Sequence, residues 1–192
     1  MANIQHALDF LLHVLFDLFI TCLMLRLLLQ WVRADFYNPL SQFLVKITNP
    51  LLLPMRRVIP GLGGIDIAAL VLALSLETSL VMLSGLLLGF RLSLSGAFLM
   101  GTAQLLNLLV YIYIVAILIQ VLISWINPYA NHALMPLLRR LTGPVLEPVR
   151  RRLPAIAGLD LSPLIVLVGL QLVLMLVSTP IFQVGKRIAI MG

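Results

Sequence analysis

The sequence predicts an all-α integral membrane protein whose four transmembrane helices form two parallel repeats. Hydrophobic residues make up 61% of the 192 residues and charged residues only 10%, and the mean hydropathy is +1.11. A chain of this composition has too little polar surface to cover a soluble globule, so its apolar excess must face lipid. A block of residues that recurs in the second half of the chain predicts the repeats.

Four apolar stretches have the length of a membrane span. They cover roughly residues 8–30, 67–90, 104–126 and 161–182. Each is close to the ~20 residues that a helix needs to cross a hydrocarbon core about 30 Å thick. The alternation typical of transmembrane β-strands is missing, so we predict helices. The first stretch contains Asp9 and Asp17 and follows no basic residues, unlike a cleaved signal peptide, so we expect it to remain as the first helix.

The recurring block aligns without a gap. Residues 48–70 (TNPLLLPMRRVIPGLGGIDIAAL) match residues 142–164 (TGPVLEPVRRRLPAIAGLDLSPL), and the offset between them is 94 (142 − 48 = 94). The matched pairs are Trp31 and Trp125, Pro50 and Pro144, Pro54 and Pro148, Arg56 and Arg150, Arg57 and Arg151, Pro60 and Pro154, Gly64 and Gly158, and Asp66 and Asp160. We therefore divide one membrane domain into two repeats, residues 1–96 and 97–192.

Each repeat crosses the membrane twice, so the second repeat enters with the same orientation as the first and both motif loops lie on one side. The motif loops carry nine basic residues, namely Arg33, Lys46, Arg56, Arg57, Arg139, Arg140, Arg150, Arg151 and Arg152. The opposite side carries three, Arg91, Lys186 and Arg187. Because basic residues near short loops stay cytoplasmic during insertion, we expect cytoplasmic loops and periplasmic termini.

Each motif loop is basic and proline-rich and opens with a short amphipathic segment, which we expect to lie in the membrane interface. Asn38 suits an N-cap, with Pro39 at the first helical position. Because proline removes a backbone donor and clashes with the preceding turn, we expect no continuous helix across the three prolines. The arginine pair is then held in an extended segment. It either contacts anionic lipid headgroups or serves only to direct insertion.

Asp66 and Asp160 each stand just before an apolar run. A carboxylate at that place caps the free amides of a helix and opposes its dipole. A salt bridge to the arginines of the same loop is the alternative.

Arg26 and Glu77 fall inside predicted spans, where a charge costs about 3 kcal/mol on insertion scales and therefore needs a partner. The equivalent residues 94 positions later are Gln120 and Gln171. A charged pair in one repeat and a neutral pair in the other predict contact within each repeat, which is a structural clamp. A transport path and contacts to other helices are the alternatives.

His6, Asp9, His13 and Asp17 share one face of the first helix. Such groups suit a metal or haem, but the second repeat has no equivalent ligands, which favours a polar face packed on a partner or lining water. The sequence has no P-loop, zinc-protease, nucleophile-elbow or dinucleotide motif. We expect no cofactor, no enzyme activity and, since the basic residues adjoin spans, no binding of nucleic acid.

The repeated pattern of Trp, Thr-x-Pro, Pro, Arg-Arg, Pro, Gly and Asp ahead of a helix resembles the YggT family, also called YlmG. The segments PMRRVIPGLGGID and PVRRRLPAIAGLD carry this resemblance, and the second has Ala155 and Ala157 where the first has Gly61 and Gly63. The resemblance implies a small multi-pass protein of the bacterial inner membrane, with relatives in chloroplasts. It implies links to cell division or envelope organisation, to osmotic stress tolerance, and in plastids to maturation of a membrane-bound cytochrome.

Two classes of function remain. The first is a non-catalytic scaffold or assembly factor that contacts membrane lipids, anionic ones among them, and membrane or division proteins that the sequence does not identify. The second is a small channel or transporter in which intramembrane polar residues line a path. Gly85 and Gly89 are spaced like residues that let two helices approach closely, either within the protein or in a homo-oligomer.

Overall fold

The computed structural model describes residues 2–61, 64–126, 134–152 and 160–191, and every regular element in these ranges is helical. The elements are α1 (Ala2–Trp31), α2 (Pro39–Val58), α3 (Ile67–Leu87), α4 (Leu94–Ile126), α5 (Leu134–Arg150), α6 (Ser162–Val173) and α7 (Thr179–Met191). A π-helical segment, Leu174–Ser178, joins α6 directly to α7. The predicted all-α class is confirmed.

Four helices are long and apolar enough to cross a membrane, as predicted. They are Asn3–Trp31, Ile67–Leu87, Leu94–Ser124 and the continuous run Ser162–Ile190. Their outward faces carry exposed large apolar side chains such as Leu18, Leu86 and Leu176. Apolar surface of this extent suits contact with lipid rather than water.

The two remaining helices, α2 and α5, continue through prolines that we predicted would end them. Pro50 and Pro54 lie inside α2, and Pro144 and Pro148 lie inside α5. The prediction of an extended segment is therefore wrong, and Arg56 and Arg57 belong to the last turn of α2.

Packing explains why the prolines are tolerated. Both prolines of α2 are exposed, whereas the opposite face buries Ser41, Leu44, Thr48 and Leu52. The carbonyl groups that lose a hydrogen bond to the missing proline N–H therefore lie on the outer side of α2. Packing of the buried face stabilises the helix despite this loss. Burial thus outweighs the local preference of proline.

Capping groups start two of the helices as predicted. Asn38 Oδ1 accepts a hydrogen bond from the Leu40 amide at 3.0 Å, with Pro39 as the first helical residue. Asp66 Oδ1 accepts from the Ala69 amide at 3.2 Å and caps α3. These bonds satisfy backbone donors that a helix leaves free at its start.

One hydrophobic core contains buried residues from all five helices α1, α2, α3, α4 and α5. Its buried members include Ile20, Leu23, Leu52, Ala69, Leu72, Ile112 and Leu138. A second cluster brings together Leu29, Leu44 and Leu137, from α1, α2 and α5. Arg140 also donates to the carbonyl oxygen of Arg33 at 3.1 Å. Helices α2 and α5 therefore lie at the same end of the bundle, which we call the motif end.

Helices α4 and α7 approach closely through small residues. A Cβ atom added to Gly96 would lie 2.3 Å from the backbone nitrogen of Ala189. Gly85 and Gly89 do not play this part. Gly89 has φ 84° and ends α3, where its amide bonds to the Leu86 carbonyl at 3.1 Å. A glycine in this left-handed conformation terminates the helix.

Candidate functional site

An ion pair at the motif end joins Arg56 to Asp66. Arg56 Nε donates to Asp66 Oδ2 at 3.1 Å, and its Nη2 binds the same oxygen. Nη2 also donates to Gln30 Oε1 at 3.3 Å. The Asp66 side chain is only 4% exposed, and its other oxygen caps α3. One buried carboxylate therefore connects α2 and α3 through Arg56, which also reaches the end of α1. Both predicted roles of Asp66, the cap and the salt bridge, occur together.

The second recurring block contains the same pair at the matched positions, but in a more exposed setting. Arg150 Nε donates to Asp160 Oδ2 at 2.8 Å, and both side chains are 43% exposed. Asp160 Oδ1 accepts from the Ser162 amide at 2.9 Å. Partial burial raises the pKa of Asp160, but hydrogen bonds from Ser162 and Arg150 outweigh it and hold the pKa below its usual value.

The second arginine of each pair is differently placed. Arg57 is exposed and forms no ion pair within the described ranges. Arg151 is 81% exposed, and its Nη2 lies 3.4 Å from Glu147 Oε2. A surface ion pair at this distance contributes little. In each loop, one arginine holds the fold and the next faces outward.

The other motif residues occupy helix ends and turns. Trp31 is the last residue of α1 and is half-exposed, and Pro60 follows the end of α2. Gly64 has φ 85°, a left-handed conformation that favours glycine. Pro154, Gly158 and the side chain of Trp125 lie outside the described residues.

Arg26 does not pair with Glu77, so the predicted clamp is wrong. Its Nη1 donates to Thr48 Oγ1 at 2.5 Å and to Asn49 Oδ1 at 2.9 Å, both on α2. No ion pair joins Arg26 to Glu77 in the part of the chain that the structure describes. The prediction failed because it placed the helical segment after Asn38 in the membrane interface, whereas α2 packs its buried face, Thr48 included, against the bundle.

Gln120 makes the matching contact in the second half of the chain. The Thr142 hydroxyl donates to Gln120 Oε1 at 2.6 Å, and Thr142 is the equivalent of Thr48. Gln171, the predicted partner, is exposed on α6. The matched change of Arg26 to Gln120 does indicate a contact within each half of the chain, but the shared partner is a threonine. The threonines that begin both recurring blocks were the signal for it.

Glu77 instead lines a polar cavity of about 280 Å³ between α1, α3 and α4. The cavity is lined by His13, Asp17, Glu77, Gln104, Asn107, Leu108 and Tyr111. Within α1, His13 Nδ1 lies 3.6 Å from Asp17 Oδ2. Glu77 is 4% exposed, and its Oε2 has no hydrogen-bond partner among the described residues. Sequence reasoning found the α1 face but missed Gln104 and Asn107, because nothing along the chain shows that α4 faces α1 here.

Metal ligation was also considered for this face of α1. Among the residues that the structure describes, no group of three or more His, Cys, Asp or Glu side chains is arranged to hold a metal ion. His6 and Asp9 do not line the cavity. Within the described residues, this face of α1 therefore offers no closed set of metal ligands.

Four apolar spans and two proline-containing helices at one end define a small multi-pass α-helical membrane protein. The profile of the CCB3/YggT family matches residues 5–87 and again residues 99–181, and the chain belongs to this family. The predicted resemblance to YggT is therefore confirmed.

Three relatives show how far the similarity extends, and each is described only as uncharacterized. A Pseudomonas aeruginosa protein is 40% identical over 182 residues, covering 92% of this chain and 91% of its own. A Vibrio alginolyticus protein is 39% identical, covering 87% and 91%. The protein YggT of Escherichia coli is 34% identical over 184 residues, covering 96% of both chains. No solved structure matches the chain.

The contact of Arg26 with Thr48 can be tested by a double-mutant cycle. Thr48→Val is expected to lower the free energy of unfolding by about 2 kcal/mol, because it removes an acceptor from a buried guanidinium. Arg26→Gln is expected to cost less, since it copies the matched position Gln120. Unfolding of the purified protein in micelles should show coupling of ~1 kcal/mol between these two changes. Arg26→Gln and Glu77→Gln should add within about 0.5 kcal/mol, and strong coupling there would restore the clamp.

The two aspartates provide a matched test of burial. Asp66→Asn keeps an oxygen for the cap but removes the charge that balances Arg56, and we expect a loss of about 2 kcal/mol in unfolding free energy. Asp160→Asn should cost less than about 1 kcal/mol, because its pair is solvent-exposed. Equal losses in the two variants, measured in the same unfolding assay, would contradict the difference in burial.

Proposed function

We propose that the protein is a non-catalytic scaffold or assembly factor of the bacterial inner membrane whose α2 and α5 contact anionic lipid headgroups. The observation that supports this is the division of roles within each arginine pair. Arg56 and Arg150 bind aspartates of their own loops, whereas Arg57 and Arg151 face outward at the same end of the bundle. An outward-facing arginine beside a membrane attracts anionic headgroups by roughly 1 kcal/mol.

The outer surface of α2 suits the membrane interface. Phe43, Leu51 and Leu53 are exposed apolar residues on a helix whose buried face packs on the bundle. Lys46 is exposed on the same helix. Apolar side chains that enter the acyl boundary next to cations that meet headgroups are typical of an interfacial helix. In this proposal α2 and α5 anchor the motif end in the lipid surface and present it to partner proteins.

Two parallel repeats are part of the proposal. The family profile matches two ranges that begin 94 residues apart (99 − 5 = 94), which is the offset between the recurring blocks. The Arg56–Asp66 and Arg150–Asp160 pairs repeat at the same offset. These regularities support two structurally similar units that are related by a pseudo-twofold axis along the membrane normal. A role in envelope organisation, cell division or cofactor maturation is consistent with such a scaffold.

A small channel or transporter with a role in osmotic stress tolerance is the second candidate function. The observation that favours it is the polar cavity beside Glu77, since ionisable residues inside spans often mark paths for ions. Ion flux into liposomes that contain the purified protein distinguishes the two candidates.

The lipid contact predicts different outcomes for the two arginines of each pair. Replacing Arg57 and Arg151 with Gln should weaken retention of phosphatidylglycerol roughly tenfold and leave the unfolding free energy unchanged. The matched control replaces Arg56 and Arg150 with Gln and should mainly reduce stability. Native mass spectrometry of the copurified lipid measures retention. Unchanged lipid retention with an altered insertion orientation would mean that the outward arginines serve only to direct insertion.

The charge distribution predicts that the motif loops are cytoplasmic and both termini periplasmic, because nine basic residues adjoin the loops and three lie on the opposite side. A periplasm-dependent reporter such as alkaline phosphatase should be active when fused to the C-terminus and inactive when inserted after Pro60. Fluorescent protein fusions at the same positions should show the reverse. A C-terminus in the cytoplasm would reject this orientation.

A further inference from the structure

We propose that the polar cavity between α1, α3 and α4 binds one monovalent cation, a proton or an alkali metal ion, at the carboxylate of Glu77. This site is separate from the lipid contact at the motif end. Glu77 stands ten residues from each end of α3 (77 − 67 = 10; 87 − 77 = 10). At about 1.5 Å per residue it lies near the middle of the span, where an unbalanced charge is most costly.

Glu77 has no counter-ion within the described protein. Glu77 is only 4% exposed, and its Oε2 has no hydrogen-bond partner among the described residues although Glu77 lines the cavity. Arg26, the predicted partner of Glu77, instead donates hydrogen bonds to Thr48 and Asn49 of α2. A buried carboxylate with no protein partner either takes up a proton or holds a cation.

The charges that face Glu77 across the cavity leave one negative charge to balance. Asp17 and His13 lie on the α1 wall, with His13 Nδ1 3.6 Å from Asp17 Oδ2, and the titratable group on the α4 wall is Tyr111. The contact between His13 and Asp17 lies within α1, so it leaves Glu77 without a positive charge of its own. A carboxylate without such compensation is costly in a low dielectric. One monovalent cation at Glu77 therefore neutralises the site.

Oxygen atoms complete the surroundings of this cation. Gln104 lines the cavity, and its Oε1 is buried without a hydrogen-bond partner among the described residues. Carboxylate and amide oxygens are the donors that hard cations prefer. The cavity volume of about 280 Å³ exceeds that of a bare ion, so the cation shares the site with water. A proton on Glu77 would instead allow it to donate a hydrogen bond to that water.

The two repeats meet at this cavity with unequal charge. His13 and Asp17 of α1 have Asn107 and Tyr111 as equivalents on α4 (107 − 13 = 94; 111 − 17 = 94), and all four line the cavity. The Ser178 hydroxyl donates a hydrogen bond to Asn107 Oδ1 at 2.6 Å and fixes the orientation of this side chain. Ser178 ends the π-helical segment, a local departure from the α-helix that is frequent at functional sites. The site therefore combines a charged wall from one repeat with a neutral wall from the other.

Thermal unfolding of the purified full chain in uncharged detergent tests the proposal. The protein is unfolded in NaCl, KCl or choline chloride at equal ionic strength, at pH 6, 7 and 8. Bound alkali ions are expected to raise the unfolding midpoint by about 3 °C or more over choline. A bound proton should raise it by a similar amount as pH falls from 8 to 6, equally in all three salts, because the folded protein then holds a proton that the unfolded chain releases.

Either response should disappear in Glu77→Gln and persist in the matched control Glu147→Gln, which removes an exposed carboxylate on α5. If Glu77→Gln does not fold, Asp17→Asn replaces it and should shift the dependence on salt or pH, since Asp17 faces the same cation. A wild-type protein without either response would overturn the proposal. The proposal would also be overturned if Glu77→Gln, or Asp17→Asn in its place, responded to salt and pH as the wild type does. Lipid retention is measured separately, so the two proposals can fail independently.

Discussion

The position of α2 and α5 against the ends of the spans determines the environment of the charged and polar groups at the motif end. Each of these helices presents a buried threonine, Thr48 or Thr142, to the span that precedes it. The first accepts from Arg26 and the second donates to Gln120. Because a polar group inside a span must find a partner, the hydrogen bond at the threonine and the packing of Leu44 or Leu146 act together. Removing the helix would leave a buried guanidinium without an acceptor.

The two halves of the chain share a set of contacts at matched positions but differ in how much charge they bury. The first half of the chain buries Arg26, Asp66 and Glu77, whereas the matched positions of the second half hold the neutral Gln120, the exposed Asp160 and the exposed Gln171. Burying an ion pair brings desolvation costs that a surface pair avoids. The first half therefore depends more strongly on each of its charged partners. This asymmetry also leaves the carboxylates of the cavity on one side and neutral side chains on the other.

Local chemistry could be predicted where a residue acts on its own neighbourhood. Asn38 and Asp66 were expected to cap helices and do so, because a cap needs only the amides that follow it in sequence. The prolines of α2 were misjudged by the same local reasoning. Pro50 and Pro54 cost backbone hydrogen bonds, but their exposed position and the burial of Leu52 on the opposite face decide the outcome. That balance depends on a surface contributed by other helices.

The sequence by itself determined that this is a helical membrane protein, where its four apolar spans lie and which residues of the two halves correspond. Hydropathy and a constant offset are properties of the chain alone, and the family match agrees with them. Tertiary structure decided which polar groups meet. The offset showed that Arg26 corresponds to Gln120 but not that each contacts a threonine, and it gave no sign that Glu77 faces Asp17 and Gln104. Such contacts depend on the rotation and crossing of whole helices, which many distant side chains set together.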